Sequence, residues 1–73
     1  MGAGLLSDLA YQAASHLDQK EPEPAAAAAT QSLLLARRIG APRCTSLVEA
    51  LLPRFRLYPS VPGVPELLHL AAA

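Results

Sequence analysis

Leucine and alanine return every third or fourth position through the first half of the chain, and the polar residues fall between them. Leu5, Leu9, Ala13 and Leu17 recur every four residues with Leu6 and Ala10 alongside, while Asp8, Gln12, Ser15 and Gln19 take the opposite side. That spacing predicts an amphipathic helix over residues 5–19, with His16 at the edge of its apolar stripe. The stretch KEPEP at 20–24 ends it, because each proline drives the residue before it out of the α region. Pro24 is then expected to open a second helix over 24–39, with Glu21 and Glu23 near its positive end. Its apolar stripe reads as Ala28, Leu35 and Ile39, with Leu34 beside it. Arg37 and Arg38 complement the dipole in the last turn, Gly40 closes the helix in the left-handed conformation, and Pro42 stops it from resuming.

A third helix is expected over 46–52. Ser46 followed by Glu49 has the spacing of a capping box, and Leu47, Val48, Leu51, Leu52 and Phe55 share one face. Pro53 conflicts with that face, since inside a helix it removes a hydrogen bond and crowds the preceding turn, so the helix should stop or kink near Leu52. Residues 57–65 are then expected to run extended and largely exposed, with few contacts to the helical hairpin. A short terminal helix begins at Pro65 and carries Leu67, Leu68 and Leu70, with His69 toward solvent. The fold class that follows is all-α. Residues 1–56 form a small module, a hairpin with a shorter third helix, and residues 57–73 form a proline-rich arm with a terminal helical turn.

Composition makes that module marginal. A chain of 73 residues sits where one core supplies only about 3–5 kcal/mol. Phe55, Tyr11 and Tyr58 are the only aromatic residues, and much of the 52% hydrophobic content is alanine, which buries little area per residue. Six leucine and phenylalanine side chains (Leu33, Leu34, Leu35, Leu51, Leu52, Phe55) exceed what three short helices are expected to shield among themselves. A protein partner is the expected cover.

Charge divides the chain. Asp8, Asp18, Glu21 and Glu23 against Lys20 leave residues 1–36 at −3, and five arginines against Glu49 and Glu66 leave residues 37–73 at +3. The halves are placed to attract each other, or the basic half to meet an acidic partner. Separated arginines without interleaved aromatics argue against nucleic acid. They also sit at helix ends rather than along a polar face, which weakens the alternative of an amphipathic peptide on a membrane surface. The longest uncharged helical stretch, Pro24 to Ala36, is too short to span a bilayer. The first residues lack the pattern of a secretory or mitochondrial leader, and MGAGLLS misses a myristoylation site because Leu6 stands where a hydroxyl residue is needed. Cys44 has no second cysteine to pair with, which fits a reducing compartment, cytoplasm or nucleus.

Catalytic chemistry is not expected. His16, His69 and Cys44 form no constellation of acid, base and nucleophile, and no spacing suggests a metal, cofactor or small-molecule substrate. Arginine outnumbers lysine five to one, asparagine is absent and isoleucine occurs once. GC-rich coding DNA produces that bias without selection on the protein, so a fortuitous translation product without defined function stands as an alternative.

Two patterns point to partners. VEALL at 48–52 and VPELL at 64–68 share the Val-x-x-Leu-Leu spacing with which a helix fills a groove, its own or another protein's. The core reading is taken for the first copy; both readings stay open for the second. In RLYPSVP, Arg56, Pro59 and Pro62 fall at intervals of three, the repeat of a polyproline II helix. With the pairs Tyr58-Pro59 and Val61-Pro62, this stretch resembles the Arg-x-Φ-Pro-x-Φ-Pro ligands of SH3 domains. That resemblance implies aromatic grooves for the two pairs and an acidic pocket for Arg56. The bland alternative is a stiff spacer between helices. The leading expectation is a non-enzymatic interaction module or complex subunit that meets an SH3-type domain or a helical subunit. Its expected contact residues are Arg56, Tyr58, Pro59, Val61, Pro62, Leu51, Leu52 and Phe55.

Overall fold

A computed structural model describes residues 2–72, with side chains from Asp8 to Ala72. Its described residues form four helices and no strand: α1 (Gly2–Asp18), α2 (Pro22–Ile39), α3 (Pro42–Phe55) and α4 (Val64–Ala72). The all-α expectation holds. Leu5 and Leu6, expected on the inward stripe of α1, lie outside the described side chains.

The first two connections are shorter than the prolines suggested. Lys20 takes a left-handed conformation, φ 61°, and Glu21 is the N-cap of an α2 that begins at Pro22, two residues before Pro24. Two backbone bonds close the end of α1, Lys20 N–H to the Leu17 carbonyl at 3.0 Å and Glu21 N–H to the His16 carbonyl at 2.7 Å. At the other end of α2, Gly40 is left-handed at φ 69° and donates to the Ala36 carbonyl. Ala41 N–H joins the same carbonyl at 2.8 Å.

Pro42 does more than stop α2. It occupies the first turn of α3, where its fixed φ suits a helix and its missing N–H is not needed, so α3 starts four residues before Ser46. The capping box is therefore not formed. Ser46 lies inside the helix and its hydroxyl donates to the Pro42 carbonyl at 3.0 Å. Pro53 does not end α3 at Leu52 either; the helix runs on to Phe55. Pro53 and Glu49, whose carbonyl loses its helical donor, are both exposed, so water can serve that carbonyl, and Phe55 at 0% exposure anchors the final turn.

The core is built mainly of small side chains. Ala10, Ala13 and Leu17 of α1 cluster with Ala25, Ala26, Ala28, Ala29 and Leu33 of α2, and Val48, Phe55, Val64 and Leu67 complete the group. Alanine on both sides lets two helix axes approach closely. This explains the partial correction to α2: its buried residues are Ala25, Ala26, Ala28, Ala29, Ser32, Leu33 and Ala36, so that of the expected stripe Ala28 is buried and Leu35 half-buried, whereas Leu34 and Ile39 are 51% and 56% exposed. Three consecutive leucines allow several stripes to be drawn, and the alanine face wins because α1 packs there. No buried side-chain nitrogen or oxygen lacks a partner among the described residues. Both Val-x-x-Leu-Leu copies face inward, with Val48, Val64 and Leu67 fully buried.

Helices α1, α2 and α3 pack on one another, and α4 lies against α2 and α3. The radius of gyration, 10.9 Å, matches the roughly 11 Å of a folded chain this long. Residues 56–63 are accordingly not an extended arm. They turn, and deliver α4 onto the core.

Candidate functional site: the proline corner and the outward face of α2

Each Φ-Pro pair in the corner is split between core and solvent. Tyr58 and Val61 are half-buried and pack against the main core cluster, and Val64 is fully buried in it. Pro59, Pro62 and Pro65 are exposed. The backbone closes through successive turns: Tyr58 N–H to Phe55 O at 2.9 Å, Val61 N–H to Tyr58 O at 3.2 Å and Val64 N–H to Val61 O at 3.1 Å. A polyproline II helix has no such bonds. A period of three residues belongs to both arrangements, so spacing alone does not distinguish them. Gly63 adopts φ 92°, and a Cβ there would stand 3.5 Å from the Cβ of Ala26, which brings the corner close to α2.

The expected contact residues are therefore scattered. Arg56, Pro59 and Pro62 are exposed, while Tyr58 and Val61 are engaged with the core. Phe55 belongs to the core and presents no surface in this fold. Leu51 and Leu52 are half-buried. Leu51 lines a small cleft of about 160 Å³ between α1 and α3 with Leu47, Ala50, Ala10, Ala14 and Tyr11, and Tyr11 is 63% exposed.

A more continuous surface lies elsewhere, on the side of α2 turned away from the core. Leu34 stands at its middle, where three shallow depressions meet. One runs between α2 and α4, about 680 Å³, lined by Thr30, Leu34, Pro65, Glu66, His69 and Leu70. A second, about 380 Å³, opens beside Ala27 toward Ala26, Pro62 and Gly63, with Glu23 and Glu66 at its rim. The third lies between Leu34 and Arg38, with Gln31 and Leu35. Leu34 was not among the expected contact residues: it was read beside the apolar stripe of α2, and the surplus of leucine at 33–35 was the signal that part of that run needs an outside cover.

Electrostatic contacts mark the helix ends. Arg54 donates to Asp18 Oδ1 at 2.6 Å, joining the basic half of the chain to the acidic half across the ends of α3 and α1. His16 Nδ1 lies 3.1 Å from Glu21 Oε1. His69 stands at the α2–α4 groove, Cys44 is buried, and no three His, Cys, Asp or Glu residues come together among the described residues. Among those residues no helix is long and apolar enough to cross a membrane.

Compared with family models, with curated proteins and with solved structures, the chain matches none significantly.

Proposed function

We propose that this chain is a small, non-enzymatic protein-interaction module of the cytoplasm or nucleus, and that its contact surface is the outward face of α2 with the adjoining α2–α4 groove. The observation that carries this reading is Leu34: a large aliphatic side chain, 51% exposed, at the centre of a helix whose opposite side is fully engaged. Burying such a side chain against a partner contributes about 1.5–3 kcal/mol relative to leaving it in water. The proline corner has a different role in this reading, holding α4 against α2 and α3. Service as an SH3 ligand would require Tyr58 and Val61 to leave the core they pack against, so it is the second reading.

The test is capture from cell lysate with the immobilised intact chain and its Leu34→Asp, Pro59→Ala and Arg56→Ala variants. The proposal expects a partner held by the parent chain, by Pro59→Ala and by Arg56→Ala but lost with Leu34→Asp, all four showing equal helicity by circular dichroism. A partner that survives Leu34→Asp overturns it. One lost with both Pro59→Ala and Arg56→Ala, and carrying an SH3-type domain, establishes the second reading instead.

A further inference from the structure

We infer that the outward face of α2 is self-complementary and that its partner is a second copy of this chain, packed antiparallel about a two-fold axis between Thr30 and Gln31. The inference rests on the reading of this face as a protein contact and names the occupant. Glu23, Ala27, Thr30, Gln31, Leu34 and Arg38 lie within one arc of about 100° on the helix surface, at the spacing of neighbouring turns. All are exposed except Thr30, which is half-buried. About a midpoint between residues 30 and 31 they pair without remainder: Glu23 with Arg38, Ala27 with Leu34, and Thr30 with Gln31.

Each pair matches in kind. An antiparallel two-fold contact sets residue i of one copy against residue j of the other and repeats the match on the far side of the axis. Acid then meets base at both ends, Glu23 against the second copy's Arg38. Glu66 shares the rim of the depression at Glu23, which adds negative charge at that end. Arg37 is exposed beside Arg38 and adds positive charge at the other. Between them a large side chain meets a small one. Leu34 lies about 5 Å along the helix from the axis, and Ala27 the same distance on the other side, at a rise of 1.5 Å per residue. Leu34 of one copy is thereby aimed at the depression of about 380 Å³ beside Ala27 of the other, floored by Ala26, Pro62 and Gly63. That volume is ample for an isobutyl group. Thr30 and Gln31 meet at the axis as donor and acceptor. A parallel packing would set Glu23 against Glu23 and Arg38 against Arg38, so charge selects the antiparallel register.

The two-fold axis makes the charge test sharp. Glu23→Arg places like charge at both ends of the interface, and Arg38→Glu does the same with the opposite sign. Mixed together, the two variants are complementary at both ends. Sedimentation equilibrium of the full chain is expected to show dimerisation, with each charge variant alone weakened about 10-fold or more and their equimolar mixture restored to within about 3-fold of the parent. Leu34→Asp, which also acts twice, should weaken it at least about 30-fold. Circular dichroism of each variant at the same concentrations establishes that the helices persist. A parent chain monomeric up to about 1 mM overturns the second copy as partner, as does a mixture no stronger than its components. If that monomeric chain still captures another protein through Leu34, the interaction face stands and only its occupant is wrong; if neither association occurs, both fall.

Discussion

The two ends of α2 turn the chain by the same device made from different residues. At both, a left-handed residue is followed by a cap and then by a proline in the first turn of the next helix: Lys20-Glu21-Pro22 before α2 and Gly40-Ala41-Pro42 before α3. The caps have nearly the same backbone, φ −117° and ψ 72° at Glu21 against φ −107° and ψ 81° at Ala41. Both corners return an N–H to the carbonyl five residues back, at 2.7 Å and 2.8 Å. Such a closure commonly brings side chains five residues apart into apolar contact. Ala36 and Ala41 supply that contact at the second corner. At the first, His16 and Glu21 replace it with a polar one at 3.1 Å. The lesson is that backbone geometry is shared while its cost is not. Glycine adopts the left-handed region freely, whereas a lysine there carries a penalty of roughly 1–2 kcal/mol.

The comparison assumes that the core holds the helices together and the corners only set how they meet. Phe55→Ala tests that assumption with the largest effect. Removing the largest fully buried side chain should cost about 3–5 kcal/mol, comparable to the whole stability available to a chain of this size. Urea titration followed by circular dichroism should find the variant largely unfolded in buffer. A cooperative transition of unchanged midpoint would mean that the corners, not the core, dominate.

Next in size is Gly40→Ala. No atom lies within 4 Å of the added Cβ, so the loss, about 1–2 kcal/mol, reports the left-handed backbone alone. Lys20→Gly runs the opposite way and should raise stability by about 0.5–1 kcal/mol, the gain being reduced by the larger entropy of glycine in the unfolded chain. If thermal melts show Gly40→Ala neutral or Lys20→Gly destabilising, the two corners are not equivalent and the comparison breaks.

The smallest effect concerns the contact that ties the first corner to α3. A double-mutant cycle of Asp18→Asn and Arg54→Gln should give a coupling of about 0.2–1 kcal/mol, falling as salt is added, because both side chains are well exposed. A coupling independent of salt would point to a packing contact rather than an ion pair.

These corners also show what was legible in the chain. Gly40 announces itself, since glycine before a proline is a familiar helix terminator, and the all-helical class follows from the periodicity. Lys20 carries no such signal: nothing in its chemistry favours the left-handed region, and only packing of α1 on α2 places it there. Pro22 and Pro42 were read as breakers although each starts a helix, and Pro24 was read as the starter in place of Pro22, because the same fixed φ serves both roles. The residues at the surface were harder. Leu33, Leu34 and Leu35 are chemically alike, and which of them faces inward depends on where α1 settles against the alanines. In the proline corner the period of three fits an extended strand and a chain of turns equally well. Tyr58 and Val61 decide between them only by finding the core.

Helices α2 and α3 each touch the other three, and of the two it is α2 that is rich in alanine, the residue with the highest intrinsic helical tendency. Of the two elements that meet all the others, α2 is thus the more able to form before assembly. Its partners α1 and α3 are its neighbours in sequence, joined through connections of only two or three residues, so little chain entropy is lost in bringing them together. Folding should accordingly be fast. It should begin at α2 with one adjacent helix and end when the corner closes and α4 docks, so that Ala29→Gly slows folding while Leu67→Ala chiefly speeds unfolding.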